Sequence, residues 1–112
     1  MNKEIYKLHK EGDLWVTEIL GSRYAFRKWT WGEKNEASNK ATYLDPITGI
    51  INYNSATFNS QLLLATVQKE VDGKFKKFSE KEINELDGQL GERLFQITQS
   101  LNLIRSLEAQ NL

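Results

Sequence analysis

The chain opens its regular pattern at Leu14. "LWVTEIL", Leu14 to Leu20, is rich in β-branched and aromatic residues, as strands are. After Gly21–Ser22 the chain returns as "RYAFRKWTW" with a strand's two-residue alternation. Tyr24, Phe26 and Lys28 fall on one face, and Arg23, Ala25, Arg27 and Trp29 on the other. Residues 14–29 therefore read as a β-hairpin that turns at Gly21–Ser22, a pair favoured in tight turns. The pattern then breaks. "TWGE" has the form of a capping box, with Thr30 as N-cap and Glu33 reaching back to its amide, so the hairpin ends at Thr30. The polar helix that follows, "EKNEASNKATYL", has Tyr43 and Leu44 at its end as its only large apolar groups, which predicts a weakly packed surface helix.

The middle of the chain is punctuated by turns. Asp45–Pro46, with the only proline, and Thr48–Gly49 carry turn chemistry, and "IINY" after them fits a short strand. Asn54 or Ser55 then caps a helix whose apolar residues Phe58, Leu62, Leu63 and Ala65 recur at helical spacing. Asp72–Gly73, flanked by Val71 and Phe75, is the strongest short hairpin signal in the chain, and it marks either a second small hairpin or a helix-ending loop.

Ser79 and Glu82 form a second capping box, followed by Ile83 and Leu86 on one helical turn. Asp87 caps the last helix, where Gly88 and Gly91 loosen the first turn. From there Leu90, Leu94, Ile97, Leu101 and Ile104 are spaced four, three, four and three, which is two heptads of a seam. Phe95, Leu103 and Leu107 lie beside or across from that seam, so the helix is apolar on more than one side. One side can face the rest of the domain through Leu62, Leu63, Phe78 and Ile83, leaving the other for a partner subunit or a peptide; alternatively, one thick core covers both. Residues 1–12, with Ile5 and Leu8 one turn apart, read as a short helix or a loose arm that orders on a partner. The whole, residues 1–112, is expected to be a single α+β domain with an N-terminal β-hairpin sheet and a helical C-terminal half.

Composition narrows the function classes. The 112 residues carry no cysteine, so a disulfide framework and a thiolate metal site are excluded. Fifteen basic and fifteen acidic residues cancel, and no global field draws the protein to nucleic acid or to membranes. The longest apolar run, Leu62–Ala65, falls far short of the ~20 residues of a membrane span, and "MNKEIYKLHKEGD" lacks a signal peptide's apolar core. The expected compartment is the cytoplasm, or the lumen of a particle that the protein helps to build.

Catalytic chemistry finds little support. A nucleophile needs a base within reach, and the only histidine, His9, sits in the lysine-rich N-terminal segment, where a solvated side chain is expected. Glu18, Glu33, Glu36 and Asp45 show no spacing that marks two of them as an acid–base pair. Asp45, Thr48 and Asn52 offer oxygen ligands without the Asp-rich pattern of a calcium loop. No phosphate-cradling glycine loop is present, so the expectation is a protein without catalysis, cofactor or metal. The aromatic and basic residues of "RYAFRKWTW" contain the ingredients of a single-strand nucleic-acid platform. Alternation divides the rings between two faces, however, and a small sheet needs large apolar groups on its buried face anyway. The rings are read mostly as core, with nucleic-acid binding kept as an alternative.

The segments "RKWTWGEKNEA", "YLDPITGIINYN", "QLLLATV" and "FSEKEINELDGQLGERLFQITQSLN", in that order, resemble the small tail and baseplate assembly chaperones of tailed phages and related contractile particles. The resemblance covers about residues 14–103. It implies a non-enzymatic protein that binds hub or tail subunits, either during assembly or as a built-in structural subunit. Carried over by position, its contact residues are Trp29, Trp31, Glu33, Lys34 and Asn35, together with the seam at Leu94, Leu101 and Ile104. The charged N-terminal arm and the tail beyond Leu103 depart from the family's pattern and leave open whether the protein stays in the particle. Zero net charge is a poor solubility device, so an exposed apolar patch would also favour self-association.

Overall fold

The computed structural model describes residues 8–110, with side chains as far as Asn102. Its elements run β1 His9–Glu11, β2 Leu14–Ile19, β3 Ser22–Phe26, α1 Trp31–Ala41, β4 Thr42–Leu44, β5 Ile51–Tyr53, α2 Ser55–Thr66, β6 Val67–Val71, β7 Lys74–Lys77, α3 Glu80–Asn84 and α4 Gly88–Gln110. The architecture is α+β. Five antiparallel strands form one sheet in the order β1-β2-β3-β6-β7, while β4 and β5 pair only with each other.

The expected hairpin, β2 with β3, forms with a different turn from the one predicted. Ile19 pairs with Ser22, so the two turn residues are Leu20 and Gly21, both at positive φ (53° and 81°). This mirror-image turn matches the strands' right-handed twist. Its register sets Trp15 opposite Phe26 and Glu18 opposite Arg23, an aromatic pair and a pair of opposite charges. The strand stops at Phe26 rather than continuing to Trp29, because Arg27 is drawn into bonds with the two helices described below. His9–Glu11, expected within a short helix or loose arm, instead add an edge strand against Leu14–Val16; the rest of that arm, residues 1–7, lies outside the described residues. Of the two readings of Asp72–Gly73, the hairpin is the one formed, with φ of 53° and 81°, and it joins the main sheet by pairing β6 with β3.

The register places Ile19, Tyr24, Phe26 and Val67 on one face of the sheet. They bury against Leu63 of α2, Ile83 of α3, and Leu94, Ile97 and Leu101 of α4. Tyr24 also stacks on Phe78, with ring centroids 6.5 Å apart. Two threonines inside this region, Thr66 and Thr98, return their hydroxyls to carbonyls one helical turn back, at 2.8 and 3.0 Å, so neither is left unsatisfied. On the opposite face Arg23 bridges Glu11 and Glu70 and lies over the Phe75 ring.

Both capping boxes form as the sequence predicts, at Thr30–Glu33 and Ser79–Glu82. Asn54 caps α2, and Asp87 accepts from the amides of Gln89 and Leu90 at the start of α4. Helix α1 ends at Ala41, before Tyr43 and Leu44; those two residues leave the helix for β4, where they pair with Asn52 and Ile51. The helix packs on α2 through the small buried residues Ala37 and Ala41. Among the described residues, no helix is long and apolar enough to cross a membrane.

Candidate protein-interaction surface

The residues around the start of α1 divide between holding the fold and facing outward. Arg27 forms a two-pronged ion pair with Glu33, Nη1 to Oε1 at 2.8 Å and Nη2 to Oε2 at 2.5 Å. The same guanidinium donates to the Ala65 carbonyl at 2.6 Å and the Lys28 carbonyl at 3.1 Å. Glu33 also accepts from the Thr30 amide at 2.8 Å. The Arg27 hydrogen bonds are the main cause that holds the Glu33 carboxyl down at about 2, with the Thr30 amide adding to it and partial burial opposing. Glu33 is thus committed to joining β3, α1 and the end of α2. Trp29 is half-buried, and its amide donates to Asn102 Oδ1 of α4 at 3.2 Å, which ties the "TWGEKN" segment to the "LN" of the closing helix. Trp31, Lys34 and Asn35 face solvent; Trp31 is 73% exposed, and the Lys34 ammonium stands 5.3 Å from its ring centre.

The C-terminal seam requires a correction. Leu94 is 0% exposed and Leu101 is 5% exposed, and both belong to the core formed with the sheet. They are covered by this chain's own β3, β6, α2 and α3 and are not open to a partner. A four-three spacing describes any helix with one buried stripe, so it could not separate a core face from an intermolecular one. The side chain of Ile104 lies outside the described residues, as do those of Leu103 and Leu107. The rings of "RYAFRKWTW" divide: Tyr24 and Phe26 are buried in the core, and neither presents a face on which a base could stack, whereas Trp29 is half-buried and Trp31 is exposed.

Among the described residues, most of the exposed large apolar side chains lie on one feature, which the sequence reading divided between a helix end and a separate strand. β4 and β5 form a hairpin that carries Tyr43, Leu44, Ile47, Ile50, Ile51 and Tyr53, every one of them exposed, with Ile47 at 92%. Its tip is not loose. The Asp45 amide donates to the Ile50 carbonyl at 2.9 Å, and the Gly49 amide donates to the Asp45 carbonyl at 2.8 Å. Asp45 Oδ1 accepts from the amides of Ile47 and Thr48 at 2.8 and 3.4 Å, which also lowers its carboxyl. Pro46 fixes one backbone angle, and Gly49 takes the positive φ of 72° that the turn needs. Of the oxygens that suggested metal ligands, Asp45 Oδ1 and Thr48 Oγ1 are thus the turn's own internal acceptors, and Asn52 donates its amide to the Ile50 carbonyl. Ile47 is held outward by this hydrogen-bonded turn. Tyr53 meets Phe58 of α2 at 6.0 Å between ring centres, which fixes the base of the hairpin.

Trp31 opens α1 and the hairpin follows its last residue, so the two exposed sets are separated by the helix, about 15 Å along its axis. The structure does not merge them into one patch. The signal for the hairpin was present in the sequence: two uncharged runs, "TYL" and "IINY", either side of an Asp-Pro…Thr-Gly turn. Among the described residues no cluster of three or more His, Asp or Glu side chains is arranged to hold a metal ion. No protein-family model matches the chain, and neither curated proteins nor solved structures yield a match to it.

Proposed function

We propose that this protein is a non-enzymatic interaction component in the assembly of a phage tail or baseplate-like particle, docking on a hub or tail subunit in the host cytoplasm. The observation that carries the interaction reading is the β4–β5 hairpin, an ordered turn that presents six large apolar side chains to water. Apolar groups gathered on one ordered projection mark contact sites, because leaving them in water has no folding benefit. Aromatic and branched aliphatic groups with little charge are also the composition of an interface centre. The particle assignment rests on the resemblance of "RKWTWGEKNEA" through "LGERLFQITQSLN" to tail and baseplate chaperones. Of the contact residues this resemblance implies, Trp31, Lys34 and Asn35 are accessible and form a second, smaller contact at the other end of α1.

The test is affinity capture by the tagged protein from its native lysate, together with a search for the chain in finished particles. Capture of tail or baseplate subunits is the expected result. Absence from finished particles would then make it a transient chaperone, and presence would make it a built-in subunit. Recovery of nucleic acid alone, without tail proteins, would contradict the proposal.

A further inference from the structure

The backbone of the β4–β5 hairpin has a free side as well as exposed side chains. The ladder is bracketed by two bonds: the Asp45 amide to the Ile50 carbonyl at one end, and the Asn54 amide to the Ala41 carbonyl at the other, 2.8 Å. Bonded and non-bonded pairs alternate along an antiparallel ladder. Tyr43 and Asn52, between those brackets, are therefore a bonded pair, whereas Leu44–Ile51 and Thr42–Tyr53 are non-bonded pairs. Residues of non-bonded pairs turn their N–H and C=O groups away from the partner strand. On β4 one of these donors is already used, because the Thr42 amide caps α1 at the Asn39 carbonyl. On β5 both Ile51 and Tyr53 direct a donor and an acceptor outward, two residues apart.

Exposed strand edges invite further pairing, and proteins guard them with charge. The main sheet does so at both ends: its edge strands are His9-Lys10-Glu11 and Lys74-Phe75-Lys76-Lys77. The edge at β5 is Ile51-Asn52-Tyr53, and no charge occurs from Ile50 to Asn54. This edge is also complementary to itself. Laid antiparallel on a second copy about Asn52, it sets Ile51 opposite Tyr53 of the second copy, and Tyr53 opposite that copy's Ile51. The outward groups then meet donor to acceptor at both pairs. Each pair joins a β-branched side chain to an aromatic one, a favourable cross-strand combination, and no like charges are brought together. A shift of one residue would oppose outward groups to inward ones, and a shift of two would leave a single pair, Ile51 with the second copy's Ile51 or Tyr53 with its Tyr53. The centred register alone uses both.

We propose that β5 is a two-fold dimerisation edge, by which two copies of this chain join their hairpins into one four-stranded sheet in the order β4-β5-β5-β4. The proposal rests on the reading of the hairpin as a contact surface and specifies the occupant in the absence of another partner. Pairing through two-fold symmetry closes after two copies. Three-residue strands bury less than the roughly 1,200 Å² of a stable interface, so the dimer is expected to dissociate on dilution.

The experiment is sedimentation velocity over a dilution series, together with amide exchange on the unaltered protein. The wild-type mass is expected to rise with concentration from 13.0 kDa toward two copies. Ile51→Pro, which removes an outward donor and leaves the bonds to β4, should stay monomeric, as should Ile51→Lys, whereas Ile47→Asp at the tip should dimerise like the wild type. The amides of Ile51 and Tyr53 should exchange several-fold more slowly in concentrated than in dilute protein, while those of Tyr43 and Asn52 should not change. A monomer at every concentration, undiminished association of Ile51→Pro, loss of association in Ile47→Asp only, or assemblies that grow beyond two copies would each overturn the proposal. A monomer that still captures tail subunits would remove the dimer and leave the proposed function standing; a dimer that captures none would do the reverse.

Discussion

Arg27 makes four hydrogen bonds with one guanidinium, and they reach the first turn of α1, the last turn of α2 and the backbone beside it. Glu33 answers it while also closing the capping box on Thr30. The sequence showed the cap, because its two members are three residues apart. It could not show that Glu33 has a second partner, since Arg27 reads equally well as a solvated face of a strand. The pairing has a pH signature. Glu33 holds its proton less tightly in the folded chain, at about 2, than the 4.5 of an unperturbed carboxyl. As pH falls, the unfolded chain therefore takes up the proton first, and stability drops. The contribution is fully present above about pH 4.5 and is lost as pH falls toward 2. A shift of this size corresponds to at most about 3 kcal/mol, and solvent around a partly exposed pair reduces it to about 1–2 kcal/mol. Glu33→Gln is accordingly expected to lower unfolding stability by about 1–2 kcal/mol at pH 7, with the gap to wild type closing between pH 4.5 and 2 in urea titrations. A gap that is independent of pH would show that the ion pair contributes nothing.

At the scale of elements, two of the three tight hairpins of the main sheet, β2–β3 and β6–β7, share one turn geometry with different residues. Asp72–Gly73 suits positive φ at both positions, and it was legible from the sequence for that reason. Leu20–Gly21 was not, because leucine is poorly suited to φ of 53°, and Gly21–Ser22 offered a more familiar pair. Cross-strand pairing overrode local preference. Leu20 is 79% exposed, so replacing it removes little packing. Leu20→Asn is expected to stabilise the fold by about 1 kcal/mol, read as a higher midpoint in denaturant; an unchanged or lower midpoint would mean that Leu20 is held by contacts outside the turn. The closing helix gives the opposite lesson. Its period was plain in the sequence, and which side faced the core was not, because that depends on segments distant in the chain, β3 being more than sixty residues away. With Leu101 in the core, Leu101→Glu is expected to abolish cooperative unfolding or lower stability by more than about 3 kcal/mol. A variant that melts like wild type would return the seam to the surface.

For the whole molecule, the fold class was legible and the topology was not. Strands at each end of the chain's middle, β3 and β6, become neighbours, and α1, the β4–β5 hairpin and α2 are an excursion between them. Local patterns mark where strands lie without saying which of them pair. That is why "TYL" was read as the end of a helix and why its pairing with "INY" went unseen. The excursion has two structural consequences. It seats α1 and α2 on each other through Ala37 and Ala41, and it sends the hairpin out beyond the main sheet. Six apolar side chains on that hairpin can then be exchanged for polar ones without touching the core. The most direct test of the account follows from that separation. Lysate capture should be compared between wild type and a Leu44→Asp, Ile47→Asp double variant whose melting temperature is first matched to wild type. Capture of tail or baseplate subunits by the wild type and at least a tenfold loss in the variant is the expected result. Equal capture of the same subunits by both proteins would contradict the claim that the hairpin is where this protein meets its partner.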